Sequence, residues 1–378
     1  MECLPLYSKI SLPQYSPCKF NSTLLSSTSL FSRFIDIHNI QSYTLFRTKK
    51  KSLALVASNG SGGCEFNGLT APLASTTEAG RLLSGIILQN DREGFYASVE
   101  NELINLDCLR NDAILRSVVH VGSDEAVLHR RISELRKLEC RKAIEDVMYM
   151  FIVYKFSEIG VHLVPKLSNC MYNGRLEIWP RRDWELESIH SVEVLDMVKE
   201  IGWEDELNVK DKWPLTQVQK LQIRHVYAAS VLYGYFLKSA SLRYHLEQNL
   251  GKSTPTNLLF SRAWQLKQKS IPLERGGDTG STSVRPVSLI EGKKQHNLRS
   301  YITSLDSEIK LMCTKPKFKE AKSVIEKHCS ALFGDESDEE VSTSFASLKR
   351  FVLEAVAFGS FLWDAEDYVR EFYRLEEN

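Results

Sequence analysis

The sequence predicts a mainly α-helical protein: a helical bundle with possible internal duplication and a small irregular or β insertion. Apolar residues recur at helical spacing over most of the chain after residue 76, and residues 161–187 lose that period. Composition agrees, since 378 residues with 43% hydrophobic and 25% charged residues are ordinary for a globular chain. We therefore expect one compact domain or two related helical halves.

The first 57 residues differ from the rest. They contain seven basic and two acidic residues with ten serines and four threonines. A basic, acid-poor, Ser-rich leader is typical of an organelle transit peptide, and its excess of hydroxyl residues over arginine favours the chloroplast. We predict a chloroplast transit peptide over 1–57 with processing near Ala57, followed by a flexible Gly/Ser segment over 58–75. A merely disordered tail is the alternative.

Formal charge changes when the leader is set aside. The whole chain has 48 basic and 48 acidic residues, and removal of residues 1–57 leaves 41 against 46. Without the leader, the protein has a formal net charge of about −5 and therefore no overall positive field. We expect no nucleic-acid partner.

Residues 76–250 are predicted to form a first helical region, in which 161–187 is the extended insertion with a hairpin turn at Asn173-Gly174. The helices expected there span Thr77–Leu88, Gly94–Leu106, Ser123 to about Ile159 and Thr216–Leu250, with short helices near 190–202 and Lys210.

Residues 251–297 are rich in Gly, Ser, Thr, Pro and Lys and are predicted to be a mobile connector. A second helical region follows over 298–378, with helices at 319–333 and 347–374 and a strand or helix at 298–305. An acidic loop at 335–340 separates the two long helices. It contains Ser337, a phosphorylation candidate because its context resembles acid-directed kinase sites.

Two predicted helices share a motif. Residues 231–237 (VLYGYFL) align without gaps on residues 356–362 (VAFGSFL), and each carries a small residue four positions before its glycine. A glycine inside a helix costs about 1 kcal/mol relative to alanine, so a repeated one indicates close backbone approach. We expect the two helices to cross at the four small residues, Ser230, Gly234, Ala355 and Gly359. Chance similarity of two buried helices is the alternative.

No catalytic residue is assigned. Glu354 is a weak acid/base candidate, because it lies among apolar residues where burial raises a carboxyl pKa. An ion pair with Arg350, one turn earlier, is the favoured interpretation.

Metal and cofactor sites are not predicted either. We expect the histidines to lie on the surface or to be hydrogen-bonded within the core, and we expect none of them to have a carboxylate one helical turn away. The sequence therefore predicts no metal site and no cofactor. The scattered cysteines are expected to be inert thiols, with a regulatory disulfide as the minor alternative.

No apolar run is long enough to span a membrane, although peripheral membrane contact stays open.

Three runs carry a resemblance: 129–134 (HRRISE), 226–237 (VYAASVLYGYFL) and 349–364 (KRFVLEAVAFGSFLWD). They are similar to the plant UV-B-induced chloroplast protein family, whose domain has no known function and which is also labelled seed-maturation-like. The similarity covers about 75–250 and 298–375. It implies localisation to the plastid and a link to light stress. Within the chloroplast, we expect the protein in the stroma. It brings no catalytic residues.

The function expected is a non-enzymatic interaction or stress-response role with an unknown protein partner. The alternative is a helical carrier of a pigment or lipid, held by an aromatic stripe that consists of Tyr227, Tyr233, Tyr235, Phe236, Phe358, Phe361 and Trp363. Core packing is the simpler explanation of that stripe. An enzyme of unrecognised class comes third.

Overall fold

The computed structural model of the chain describes residues 71–120, 125–200, 215–252, 297–334 and 339–375. The predicted transit peptide, most of the Gly/Ser segment, most of the connector, the predicted helix at Lys210 and Ser337 lie outside the described residues.

The described residues form ten α-helices and four short strands, which confirms the predicted fold class. The helices are α1 (Glu78–Gln89), α2 (Arg92–Val119), α3 (Ala126–Glu158), α4 (Asp183–Ser188), α5 (Val192–Lys199), α6 (Lys220–Lys252), α7 (Leu298–Ser304), α8 (Ser307–Thr314), α9 (Lys319–Phe333) and α10 (Phe345–Phe372). The strands are β1 (Met171–Tyr172), β2 (Arg175–Leu176), β3 (Leu215–Gln219) and β4 (Glu340–Ser344).

Helix α1 begins where a buried carboxylate holds the preceding turn. Oδ2 of Asp146, on α3, accepts hydrogen bonds from the backbone N–H groups of Thr76 and Thr77 at 2.8 Å each, and from both threonine hydroxyls at 3.2 and 2.9 Å. The Thr77 hydroxyl also caps the helix by accepting from the Gly80 N–H. One side chain of α3 therefore fixes the start of α1.

The predicted hairpin in the insertion is present. Strands β1 and β2 pair antiparallel around Asn173 and Gly174, which have φ of 50° and 73°. Positive φ at both central positions is the requirement of a tight two-residue hairpin turn, which Asn-Gly meets at low cost.

The sheet extends beyond this insertion, in the order β1-β2-β4-β3. The prediction that a helix begins at Thr216 was wrong for its first residues, because β3 occupies 215–219 and α6 starts only at Lys220. Thr216 and Val218 are buried while Gln217 and Gln219 are exposed, a period of two that the strong helical pattern downstream obscured.

Strands β3 and β4 each lead directly into a long helix, and the two units match. Corresponding positions lie 125 residues apart: Leu215 with Glu340, Lys220 with Phe345, and Gly234 with Gly359. The strands pair antiparallel, with Gln217 opposite its own counterpart Ser342. The internal similarity therefore includes β3 and β4 as well as α6 and α10. A local two-fold axis relates the two strand–helix units.

The hydrophobic core is centred on α3 and α10. Every side chain of α3 from Ala143 to Tyr154 is buried, as is every side chain of α10 from Arg350 to Leu362. In the described ranges, no helix combines the length and apolar character needed to cross a membrane.

Candidate functional site

Helices α6 and α10 cross at the predicted small residues. A Cβ on Gly234 would collide with the backbone of Val356, and a Cβ on Gly359 would collide with the carbonyl of Val231. Ser230 and Ala355 are fully buried beside them, and the Ser230 hydroxyl donates to the Val226 carbonyl at 2.7 Å. Only glycine permits this backbone separation.

Glu354 lies on α10 one turn from this crossing and has no exposed surface. Its Oε2 forms an ion pair with Nη1 of Arg350 at 2.8 Å and accepts the Val164 N–H at 3.0 Å. Its Oε1 accepts the Tyr227 hydroxyl at 3.3 Å. Nη2 of Arg350 in turn donates to the carbonyl of His162 at 2.9 Å. The carboxylate and its arginine thus link α10 to α6 and to the start of the insertion.

The hydrogen bonds continue away from Glu354. The Tyr227 hydroxyl contacts Nε2 of His328, on α9, at 2.9 Å, and Nδ1 of His328 contacts the Tyr149 hydroxyl, on α3, at 3.3 Å. The Tyr149 oxygen also accepts the N–H of Leu73 at 3.4 Å. We call Arg350, Glu354, Tyr227, His328 and Tyr149 the buried network. It joins four helices through the centre of the fold.

Burial controls the protonation of the buried network. It lowers the pKa of His328 to about 3, so the imidazole is neutral. Burial also raises the pKa of Tyr149 and of Tyr227, which stay protonated. For Glu354, burial raises the pKa, and the Arg350 guanidinium together with the Val164 and Tyr227 donors opposes that rise. Both Glu354 oxygens are occupied by protein donors, which suits a structural group better than an acid/base group that must meet a substrate.

The sequence contains no local signal for His328, Tyr149 or Tyr227 as partners. The hydrogen-bonded pairs His328–Tyr149 and His328–Tyr227 are 179 and 101 residues apart in the sequence. The two tyrosines stand among apolar neighbours typical of a core helix, and His328 lies in a helix of mixed polarity.

The side chains of the aromatic stripe pack against side chains of neighbouring helices. Phe358 stacks on His328 with ring centroids 4.2 Å apart, and Phe361 meets Phe156 edge-on at 5.1 Å. The Tyr235 hydroxyl donates to Glu366, whose other oxygen accepts the Phe318 N–H at 2.9 Å. These contacts are what core packing predicts.

A different surface is formed by residues 111–119 of α2 and 126–139 of α3, which we call the arm. No side chain of residues 126–139 is buried, whereas the core begins at Cys140. At 1.5 Å per residue, this part of α3 extends about 20 Å beyond the core.

The arm places its apolar residues outward. The seam between its two helices consists of small or polar residues that are at most half-exposed, namely Ala113, Ser117, His120, Ala126, His129 and Ser133. The large apolar side chains are exposed instead: Ile114, Leu115, Val118, Val119, Val127, Leu128, Ile132, Leu135 and Leu138, with Val127 81% and Val119 69% exposed. Five of the nine lie on α3, on the side away from the seam, and monomeric proteins seldom leave so many large apolar side chains exposed on one helix segment.

The charges of the arm are paired among themselves. Arg130 and Arg131 both contact Glu134, at 3.6 and 3.4 Å, and Arg136 contacts Glu139 at 2.9 Å. Arg130 and Arg131 share one glutamate, so their charge is only partly compensated, but the interleaved glutamates interrupt a continuous positive strip.

Two histidines and a glutamate meet at the tip of the arm. His120 ends α2, Glu125 precedes α3, and His129 lies one turn into α3. The expectation that no histidine has a carboxylate one helical turn away was wrong, because Glu125 and His129 are four residues apart with Oε2 and Nε2 at 3.5 Å. His120 joins them from the other helix of the arm, where it follows the last residue of α2.

The described cysteines divide into two kinds. Cys108, Cys140, Cys313 and Cys329 are free, and burial raises the pKa of Cys329 to about 12, so this thiol is inert. Cys170 differs from the expectation of inert thiols, because it is disulfide-bonded.

Fold and surface together define a mainly α-helical protein. Its core is built on two strand–helix units related by a two-fold axis, it contains a buried polar network, and its arm carries exposed apolar side chains.

The profile of a protein family of unknown function, DUF760, matches residues 127–250, from the arm to the end of α6. A chloroplastic UV-B-induced protein of Arabidopsis thaliana is 33% identical over 368 residues, which cover 90% of this chain and 86% of that protein. The chain belongs to this family of UV-B-induced, DUF760-containing proteins. No solved structure matches it.

Proposed function

We propose that this is a chloroplast protein of the UV-B response that acts by binding another protein through the arm, without catalysis of its own. The name of the Arabidopsis relative and the basic, Ser-rich leader support the chloroplast and the link to UV-B. Within the chloroplast, we propose the stroma as its compartment.

The outward apolar surface of the arm is the observation that carries the proposal. Full burial of a Val, Leu or Ile side chain is worth about 1.5–3 kcal/mol, so a partner that covers even part of this surface gains several kcal/mol. The surface is also long and narrow, with Leu128, Ile132 and Leu135 at helical spacing.

We infer that the occupant is an amphipathic helix of a partner protein. A stripe at helical spacing forms the ridge that a second helix packs against. The pairing of Arg130, Arg131 and Arg136 with glutamates favours a protein of mixed charge over a nucleic acid or a strongly anionic lipid surface.

The interior supports the same interpretation. Glu354, the acid/base candidate from the sequence, is bonded to protein donors at both oxygens, and the aromatic stripe that a carrier would use packs on side chains of the core. No observation favours the pigment or lipid carrier specifically.

The test compares two exposed leucines. Leu128→Glu places a charge on the arm, and Leu246→Glu does so on α6, where Leu246 is similarly exposed. Both variants are expected to retain the wild-type thermal stability within about 0.5 kcal/mol, as surface substitutions do. Tagged proteins are then isolated from chloroplasts after mild crosslinking. We expect a partner protein with wild type and Leu246→Glu that is lost with Leu128→Glu. Equal recovery with all three would reject the arm as the binding surface.

A further inference from the structure

We propose that His120, Glu125 and His129 form a zinc site that clamps the tip of the arm. The site goes beyond the proposed binding of a protein and does not depend on it. One possible ligand atom from each of the three residues lies within 4.8 Å of the others. The ligand atoms of a tetrahedral zinc centre with bonds of about 2.0–2.2 Å are about 3.3 Å apart. Side-chain rotation at a half-exposed tip is sufficient to close that difference.

The imidazole of His120 is already oriented for coordination. Its Nδ1 lies 2.9 Å from the carbonyl oxygen of Arg116. A carbonyl only accepts, so Nδ1 carries the proton and Nε2 carries the lone pair in the neutral ring. Metal-binding histidines are held in the same way, by a backbone carbonyl or carboxylate on the nitrogen that does not bind the metal.

The second imidazole is held against the first. The ring centroids of His120 and His129 are 3.9 Å apart with an interplanar angle of 34°. Two imidazoles in contact, with the carboxylate of Glu125 at 3.5 Å from His129, offer two nitrogen ligands and one oxygen ligand. The neighbouring Arg130 and Arg131 are turned toward Glu134 and so do not compete for Glu125.

This donor set selects the metal. Imidazole nitrogen suits zinc and its neighbours in the transition series, whereas calcium and magnesium prefer all-oxygen sites. Three protein ligands leave a fourth position for water or for a group of a partner. Because His120 ends α2 and His129 belongs to α3, the bound ion would tie together two helices whose seam has few apolar contacts.

The test is metal binding by the full chain, first stripped with a chelator and then dialysed against Zn²⁺. We expect one zinc per chain, and binding at least about 100-fold weaker in His129→Ala and His120→Ala, because each removes one of three ligands. His245→Ala, which removes an exposed histidine of α6, is the matched control and is expected to bind as wild type. Helix content by circular dichroism is expected to be equal in all four proteins.

Substitution with Co²⁺ identifies the ligands independently of the variants. We expect the visible bands of a nitrogen- and oxygen-ligated centre without a sulfur-to-cobalt charge-transfer band. A charge-transfer band would place the metal on a cysteine and overturn the proposal. Absence of zinc from the dialysed wild type, or full zinc retention in His129→Ala and His120→Ala, would do the same. None of these measurements involves a partner, so their failure leaves the proposed function untouched.

Discussion

Gly234 and Gly359 occupy equivalent positions across a local two-fold axis, and each faces the backbone beside the other. Gly234 packs against Val356, Gly359 packs against Val231, and Val231 and Val356 are themselves counterparts. This is the self-complementary contact that a symmetric dimer makes, here within one chain. The same axis passes between Gln217 and Ser342 in the paired strands.

A methyl group at either glycine is expected to force the helices apart. Gly234→Ala and Gly359→Ala should each lower the free energy of unfolding by about 3 kcal/mol or more through overpacking, measured by urea denaturation. Gly85→Ala is the control, because nothing lies within 4 Å of a Cβ there, and it should raise stability by about 0.5–1 kcal/mol. Wild-type stability in the Gly234 and Gly359 variants would contradict the crossing.

Neutralising Glu354 is expected to leave Arg350 as a buried, unpaired charge. Glu354→Gln should therefore cost about 3–5 kcal/mol of stability. Glu371→Gln, at an exposed position of the same helix, should change stability by less than about 0.5 kcal/mol. Thermal unfolding of the two variants side by side checks this, and equal melting temperatures would show that the ion pair contributes no stability.

His328 is expected to make the protein less stable as the pH falls. Its pKa is about 3 in the folded chain and 6.5 when unperturbed, so between these values the unfolded chain binds a proton that the folded chain does not. Stability conferred by the neutral imidazole is thus complete above pH 6.5 and declines on acidification, by about 1.4 kcal/mol per pH unit. Burial raises the pKa of Asp183, Glu354 and Glu366, which works in the opposite direction.

The difference between wild type and His328→Gln isolates this contribution, since the three carboxyls are present in both proteins. Unfolding free energies measured between pH 4 and pH 7 should show the wild type losing stability faster on acidification. Parallel curves would mean that His328 is protonated in the folded chain.

Asp146 is expected to hold the start of α1 in place. In Asp146→Asn the four donors of Thr76 and Thr77 lose a charged acceptor, which should cost about 2 kcal/mol. Limited proteolysis should then cut near residues 75–80 faster than in Asp112→Asn, a control at an exposed position. Identical cleavage in both variants would show that this contact does not secure α1.

Much of the fold could be predicted because its signals are local. The helical period defined α9 to the residue, and Asn173-Gly174 marked the hairpin turn. The pairing of β3 with β4 was missed because it joins residues about 125 positions apart, and neither strand is long enough to outweigh the adjacent helical pattern.

The surface and the site were harder to predict for the same reason. Leu128, Ile132 and Leu135 have the spacing of a core-facing stripe, whereas the charged residues among them favour a solvated helix end, and the structure shows that they face outward. His120 caps α2 whereas His129 lies in α3, so no pattern within one helix indicates that the two rings meet. Periodicity identifies an apolar face without identifying what covers it.

Site-specific photocrosslinking from Leu128 in intact chloroplasts tests the central claim most directly. With a photoreactive amino acid at position 128, we predict one dominant adduct whose crosslinked peptide lies in an amphipathic helix of the partner. The adduct should disappear when Ile132→Glu is added, and it should be absent when the probe is at position 246. No adduct from position 128, or the same adducts from both positions, would contradict the assignment of the arm as the binding surface.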